Sequence, residues 1–208
     1  MRYRAVVFDL WNTLVLWPAD ASVYEQMAKR VGIGAERFNE AWRAAYDQRA
    51  TGPLESSVRT VCTGLGLADE HVAALIDVRL DFARETLVPR EGAVEVLDEL
   101  RARGYRLGLI SVCSEEVPQL WAETPLAERI DEPIFSCSVG VAKPDPRIYA
   151  IAAERLGVEP GACLFVDDQP TFVAGAAEAG MDAVLLGDEQ PWDGPRVREL
   201  REVLELAE

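Results

Sequence analysis

Short apolar runs that stop abruptly at a polar residue or a glycine constrain the fold of this sequence more than any other feature. Ala5 to Phe8 stops at Asp9, Leu107 to Ile110 at Ser111, Cys163 to Val166 at Asp167 and Asp168, and Ala183 to Leu186 at Gly187. Ile134 to Val139 is a weaker run of the same kind. Bounded runs of this length suit strands buried on both faces, as in a parallel sheet covered by helices. Helical patterns fill the intervals. Glu91 to Arg103 places Val94, Leu97 and Leu100 on one side and meets Gly104. Pro146 to Leu156 has Asp145 as N-cap, proline at the first helical position and Gly157 beyond its end. Pro170 to Ala179 repeats that arrangement before Gly180, and Arg196 to Leu206 is the expected closing helix. Strand alternating with helix predicts an α/β fold, a Rossmann-like doubly wound parallel sheet.

One segment breaks the alternation. Helical patterns follow one another over 20–31, 35–49, 54–64 and 68–86, the last with Val72, Leu75, Ile76, Leu80 and Ala83 at helical spacing. Glycine and proline at Gly32, Gly34, Gly52, Pro53, Gly64 and Gly66 punctuate them. The expected organisation is therefore an α/β core of residues 1–15 and 89–208 with an all-helical insertion at 16–88.

Charge narrows the partners. With 36 acidic against 21 basic residues and a net charge of −15, the field of the chain opposes nucleic acid and anionic membranes. An anionic ligand would need positive charge supplied locally. The four cysteines, Cys62, Cys113, Cys137 and Cys163, form no C-x-x-C pair, so a zinc ribbon is unsupported. They read as free thiols of a reducing compartment. The first apolar run is too short for a signal-peptide core or a membrane span, which gives the expectation of a cytoplasmic protein.

In open α/β sheets ligands bind beyond the carboxyl ends of the strands, where Asp9, Ser111, Asp167 and Asp168 fall. A carboxylate at Asp9 can attack phosphorus or carbon and form a covalent intermediate. Ser111 can hydrogen-bond an oxyanion, and is equally at home as a turn serine. Lys143 precedes the rigid Pro144-Asp145-Pro146 helix start, which would aim it, although most lysines are solvated. Adjacent Asp167 and Asp168 repel each other unless a cation lies between them and a third acid, and oxygen ligands suit Mg²⁺. Solvated loop acids are the plainer reading of that pair.

Taken together these segments resemble the haloacid dehalogenase superfamily. Val6-Val7-Phe8-Asp9-Leu10-Trp11-Asn12-Thr13-Leu14-Val15 is similar to its first motif, Leu109-Ile110-Ser111 to its second, and Lys143-Pro144 to its third. Leu164-Phe165-Val166-Asp167-Asp168, with Gly175-Ala176 and Ala179-Gly180-Met181, is similar to its fourth. The motifs run in family order, and the helical insertion lies where this family carries its C1-type cap. The resemblance implies a hydrolase acting on a small anionic substrate, with Asp9 as nucleophile and Ser111 and Lys143 binding the transferring group. It further implies Mg²⁺ held by Asp9, the Trp11 carbonyl and Asp168, with Asp167 acting through water or from behind. Trp11 and Asn12, in the same loop, are candidate substrate contacts.

Two departures divide the functional expectation. Family phosphatases carry an aspartate two residues after the nucleophile as general acid and base, and here Trp11 stands there; Asn12 replaces the loop glycine. In the fourth motif the later acid or amide is Phe172. Mg²⁺-dependent hydrolysis of a phosphate monoester through an aspartyl intermediate is the leading expectation. A metal-free 2-haloacid dehalogenase, which carries an aromatic residue where Trp11 sits, is the second. A binding protein that kept the pocket is the third. His71 reads as a solvated helix position and Trp17, Trp42, Trp121 and Trp192 as packing residues; Arg43, Arg49 and Arg59 could meet a substrate carboxylate or phosphate, but helical surfaces usually carry such residues.

Overall fold

The computed structural model describes residues 2–18 and 23–207. Six strands form a single all-parallel sheet: β1 (Ala5–Phe8), β2 (Arg106–Ser111), β3 (Glu132–Phe135), β4 (Cys163–Asp167), β5 (Asp182–Leu186) and β6 (Arg196–Val197). Their spatial order is β3-β2-β1-β4-β5-β6. The chain thus runs outward one way from β1 and then returns to its other side, and β1 lies at the point where the order reverses. The fold is the expected Rossmann-like α/β type.

Among the described residues, eleven α-helices accompany the sheet. They are α1 (Val23–Arg30), α2 (Ala35–Ala44), α3 (Tyr46–Thr51), α4 (Leu54–Leu65), α5 (Glu70–Thr86), α6 (Ala93–Ala102), α7 (Glu116–Leu120), α8 (Ser136–Val139), α9 (Pro146–Leu156), α10 (Pro170–Glu178) and α11 (Val203–Leu206). Side chains alternate across each strand. Val6, Phe8, Leu107, Leu109, Leu164 and Val166 therefore pack with α6 and the C-terminal turns, while Ala5, Val7, Ile110 and Phe165 pack with α9 and α10. Both faces are covered, and so the strand sequences are continuously apolar. Helices α1, α2, α4 and α5 gather around a separate apolar cluster that includes Met27, Phe38, Trp42, Leu54, Val58 and Leu75.

The start of α9 follows the expected chemistry: Asp145 Oδ1 accepts from the Arg147 amide at 2.9 Å, and Gly157 closes the helix with φ 67°. Several expected elements are corrected. The run 35–49 breaks at Ala45, where ψ turns to 15°, giving α2 and α3. The run 134–139 is half strand and half helix, because β2 ends at Ser111 opposite Phe135 and offers nothing further to pair. The expected closing helix 196–206 begins as strand β6, since the free edge of β5 captures Arg196 and Val197; only Val203–Leu206 is α-helical. The first residues of the expected helix 20–31 lie outside the described residues. Among those described, no helix is long and apolar enough to cross a membrane.

Candidate active site

The reversal of strand order opens a crevice at the carboxyl ends of β1 and its neighbours, the usual ligand position in such sheets. Asp9 follows β1 directly, and its amide donates to the Val166 carbonyl of β4 at 2.9 Å. Lys143, in the loop before α9, is almost completely buried, and its Nζ donates to Asp9 Oδ1 and Asp167 Oδ2 at 2.5 Å each. The rings of Phe172 and Phe165 stand 4.7 and 5.5 Å from the same ammonium. Asp167 Oδ1 accepts from the Gln169 amide at 2.8 Å, and Asp168 Oδ2 accepts from Gln169 Nε2 at 2.7 Å. Carboxylate oxygens of Asp9, Asp167 and Asp168 lie within 4.8 Å of one another. Three acids and one ammonium in a buried space carry a deficit of positive charge. With hard oxygen donors converging on it, that deficit suits a divalent cation.

Burial raises the Asp9 carboxyl above its ordinary range, with Lys143 pulling the other way. Burial likewise pushes Asp167 up to about 7, again opposed by Lys143. Burial works against the Lys143 charge too, but Asp167 and Asp9 outweigh it and hold the ammonium above its usual value. Asp167 is the last residue of β4 and fully buried, so the alternative reading of it as a solvated loop acid does not hold.

Two hydroxyls complete the floor. Ser111 Oγ, at the end of β2, and Thr13 Oγ1 are buried with no hydrogen-bond partner among the described residues. A buried donor left unsatisfied costs about 1–3 kcal/mol, so each is more stable once a ligand oxygen reaches it. The loop after β1 that carries Thr13 is set by Asn12, whose φ of 61° few residues adopt easily. Its side-chain oxygen accepts from the Trp17 amide at 3.1 Å. The Trp11 ring meets Trp17 edge-on at 4.9 Å, and Trp17 meets Phe82 of α5 at 5.3 Å. Aromatic contact therefore joins the loop after β1 to the helices above it.

Between those helices and the segment after Ser111 lies a cavity of about 140 Å³. Trp11, Trp17, Tyr24, Trp42 and Tyr46 contribute rings to its wall, and Arg49, Arg79 and Glu116 contribute charge. Trp42 lies in the buried cluster of the helices and Trp17 packs against it, as expected, but Arg49 is not on a helical surface: it is only 7% exposed. Its Nη1 donates to the Trp42 carbonyl at 2.8 Å and its guanidinium lies 4.1 Å from the centre of the Trp42 ring. Burial, followed by the neighbouring Arg79, pulls Arg49 down to about 10, which still leaves it charged at neutral pH. Arg79 of α5 pairs with Glu116 of α7, whose Oε1 also accepts from Ser114 Oγ at 3.0 Å. The sequence offers Arg49 as a possible contact for a substrate anion but gives no sign of Arg79 or Glu116, because an inward-facing charged residue on a helix looks like a solvated one until the packing partner is known. Arg59 is exposed and paired with Glu55 and Asp69, as expected of a surface residue.

Known proteins resemble this chain in sequence and fold. A family model described as haloacid dehalogenase-like hydrolase matches residues 3–180. A protein of Mycobacterium tuberculosis named as a phosphatase is 32% identical over 89% of this chain and 88% of its own length. An (S)-2-haloacid dehalogenase of Burkholderia cepacia is 29% identical over 88% of this chain and 82% of its own. In fold, the crystal structure of a 2-haloacid dehalogenase from Pseudomonas syringae matches with a TM-score of 0.77 at 21% identity, covering 98% of this chain and 97% of that one.

Proposed function

The chain belongs to the haloacid dehalogenase-like hydrolases, and within that family we propose that it is a Mg²⁺-dependent phosphatase of small phosphate monoesters, with Asp9 as the nucleophile. The observation that carries this reading is the gathering of Asp9, Asp167 and Asp168 oxygens within 4.8 Å around a single lysine ammonium. A dehalogenase acting without metal would have little use for so much negative charge. Asp9, Asp168 and the Trp11 carbonyl would hold the ion, which when bound offsets charge on the phosphoryl oxygens. Asp167 stands behind them and fixes Lys143.

In this reading an Asp9 carboxylate oxygen attacks phosphorus and the ester P–O bond breaks. The departing oxygen takes its proton from water, because the Trp11 indole exchanges none at neutral pH. Water then attacks the phosphorus of the aspartyl phosphate, the bond to Asp9 breaks, and the carboxylate returns with release of inorganic phosphate. Ser111 Oγ donates to a non-bridging phosphoryl oxygen, which satisfies its buried hydroxyl. Lys143 stays protonated throughout and balances the charge on Asp9. The helices of 16–88 act as the cap that closes over the substrate.

One feature favours the second reading, metal-free dehalogenation: Trp11 packs as an apolar wall instead of offering a proton. A parallel assay decides between them. With 4-nitrophenyl phosphate, we expect phosphate release that requires Mg²⁺ and stops with EDTA, and that is lost in a folded Asp9→Asn variant. Chloride release from 2-chloropropionate in EDTA, with no phosphatase activity, would overturn the proposal.

A further inference from the structure

The cavity beside Trp11 carries an excess of positive charge inside a strongly acidic chain. Its charged wall residues are two guanidiniums, Arg49 and Arg79, and one carboxylate, Glu116, whose Oε1 pairs with Arg79 and whose charge also acts on Arg49, so two cations share one anion. Arg49 is buried and has no carboxylate partner among the described residues; its one hydrogen bond is to the Trp42 carbonyl. Burying a charge is costly unless a counter-charge meets it, so a site holding Arg49 this way is completed by an anion. Five aromatic side chains form part of the wall, and the volume of about 140 Å³ is close to that of a cavity that takes one benzene ring.

The cavity also adjoins the chemistry. Trp11 lies two residues beyond Asp9, and Val112, Cys113 and Ser114, which follow Ser111, form part of the wall. With Trp11 in place of a proton donor, the departing oxygen must be a good leaving group on its own, as a phenolate is and an alkoxide is not.

From the charge, the rings and the missing proton donor together, we infer that the substrate is the phosphate monoester of a small phenolic acid, its ring held among the cavity aromatics and its carboxylate paired with Arg49. The ester half of this inference rests on the phosphatase proposal; the acid-binding half does not.

Calorimetric titration of the whole protein with benzoate and with benzamide tests the acid half directly. Losing a charged hydrogen-bond partner should weaken binding about 10- to 100-fold, so benzoate should bind tighter than benzamide by that factor. The preference should vanish in Arg49→Met and persist in part in Arg49→Lys, with melting curves recorded for both variants. Equal binding of the two probes by the unmodified protein, or binding of neither, overturns the inference whether or not the variants fold. The same contrast should appear in kcat/KM for 4-carboxyphenyl phosphate against 4-carbamoylphenyl phosphate. A protein that prefers benzoate through Arg49 but hydrolyses no phosphate ester loses the phosphatase proposal and keeps the acid site. One that hydrolyses both esters equally well keeps the phosphatase proposal and loses this one.

Discussion

At the scale of single residues, Trp11 separates this protein from the phosphatases it resembles. A positioned general acid contributes about 10²–10⁴-fold, and an indole can supply none of it. Turnover should therefore rise steeply with the quality of the leaving group, with 4-nitrophenyl phosphate far ahead of ethyl phosphate. Trp11→Asp should narrow that gap by raising ethyl phosphate turnover. The ring also rests against Trp17, so the substitution should lower stability, by less than the about 3–5 kcal/mol of a fully buried large-to-small change because Trp11 is only half-buried. A leaving-group series measured on both forms, with melting curves, checks this; efficient ethyl phosphate hydrolysis by the unmodified protein would mean that a proton donor lies elsewhere. Phe172 is the companion case. It stands where an acid or amide was expected, and its ring takes up the space beside the Lys143 ammonium. The lysine is thus tied to two carboxylates, and its other flank is an aromatic face.

At the scale of elements, the site depends on how closely α10 approaches the Lys143-Pro144 segment. Gly175 makes that approach possible: a Cβ there would fall 2.8 Å from both Cβ and the carbonyl oxygen of Pro144, and 3.1 Å from Tyr149 Oη. Backbone on one side and a fixed ring on the other leave little room to yield. Gly175→Ala should cost about 1–3 kcal/mol by overpacking, and it should reduce kcat more than it raises KM, because the displaced segment carries Lys143. Denaturant unfolding and steady-state kinetics on the same preparation measure both effects. Unchanged kcat with full stability would show that the loop relaxes without moving the ammonium.

At the scale of the molecule, the helices over the site are fastened to the core by a buried ion pair. Arg79 on α5 meets Glu116 on α7, and both are nearly inaccessible. The Leu54 amide at the start of α4 adds a hydrogen bond to Glu115 Oε2 at 2.7 Å. Removing one member of a buried pair leaves the other charge stranded, at about 3–5 kcal/mol. Arg79→Met should therefore destabilise by that order, while Arg79→Met with Glu116→Gln should recover much of the loss. Urea unfolding of the two single variants and the double variant gives the coupling; additive losses would show that the pair does not act as one unit.

The fold class, the family and the proximity of Asp9, Lys143, Asp167 and Asp168 were legible in the sequence. Apolar runs ending in polar residues reflect a local rule, that a strand buried on both faces has its chemistry at its tip. Helix signals were equally local at α9, where Asp145, Pro146 and Gly157 each took the expected place. Pairing is not local, and there the sequence reading failed: β6 exists because β5 has a free edge, and residues 136–139 turn helical because β2 has ended. Which side of a helix faces inward is also decided only by its neighbours. Arg49 and Arg79 carry the same residue type as exposed Arg59, and nothing in their spacing tells them apart. Tertiary packing alone placed two of them against a cavity beside Trp11, where low polarity turns an ordinary surface charge into a demand for a partner.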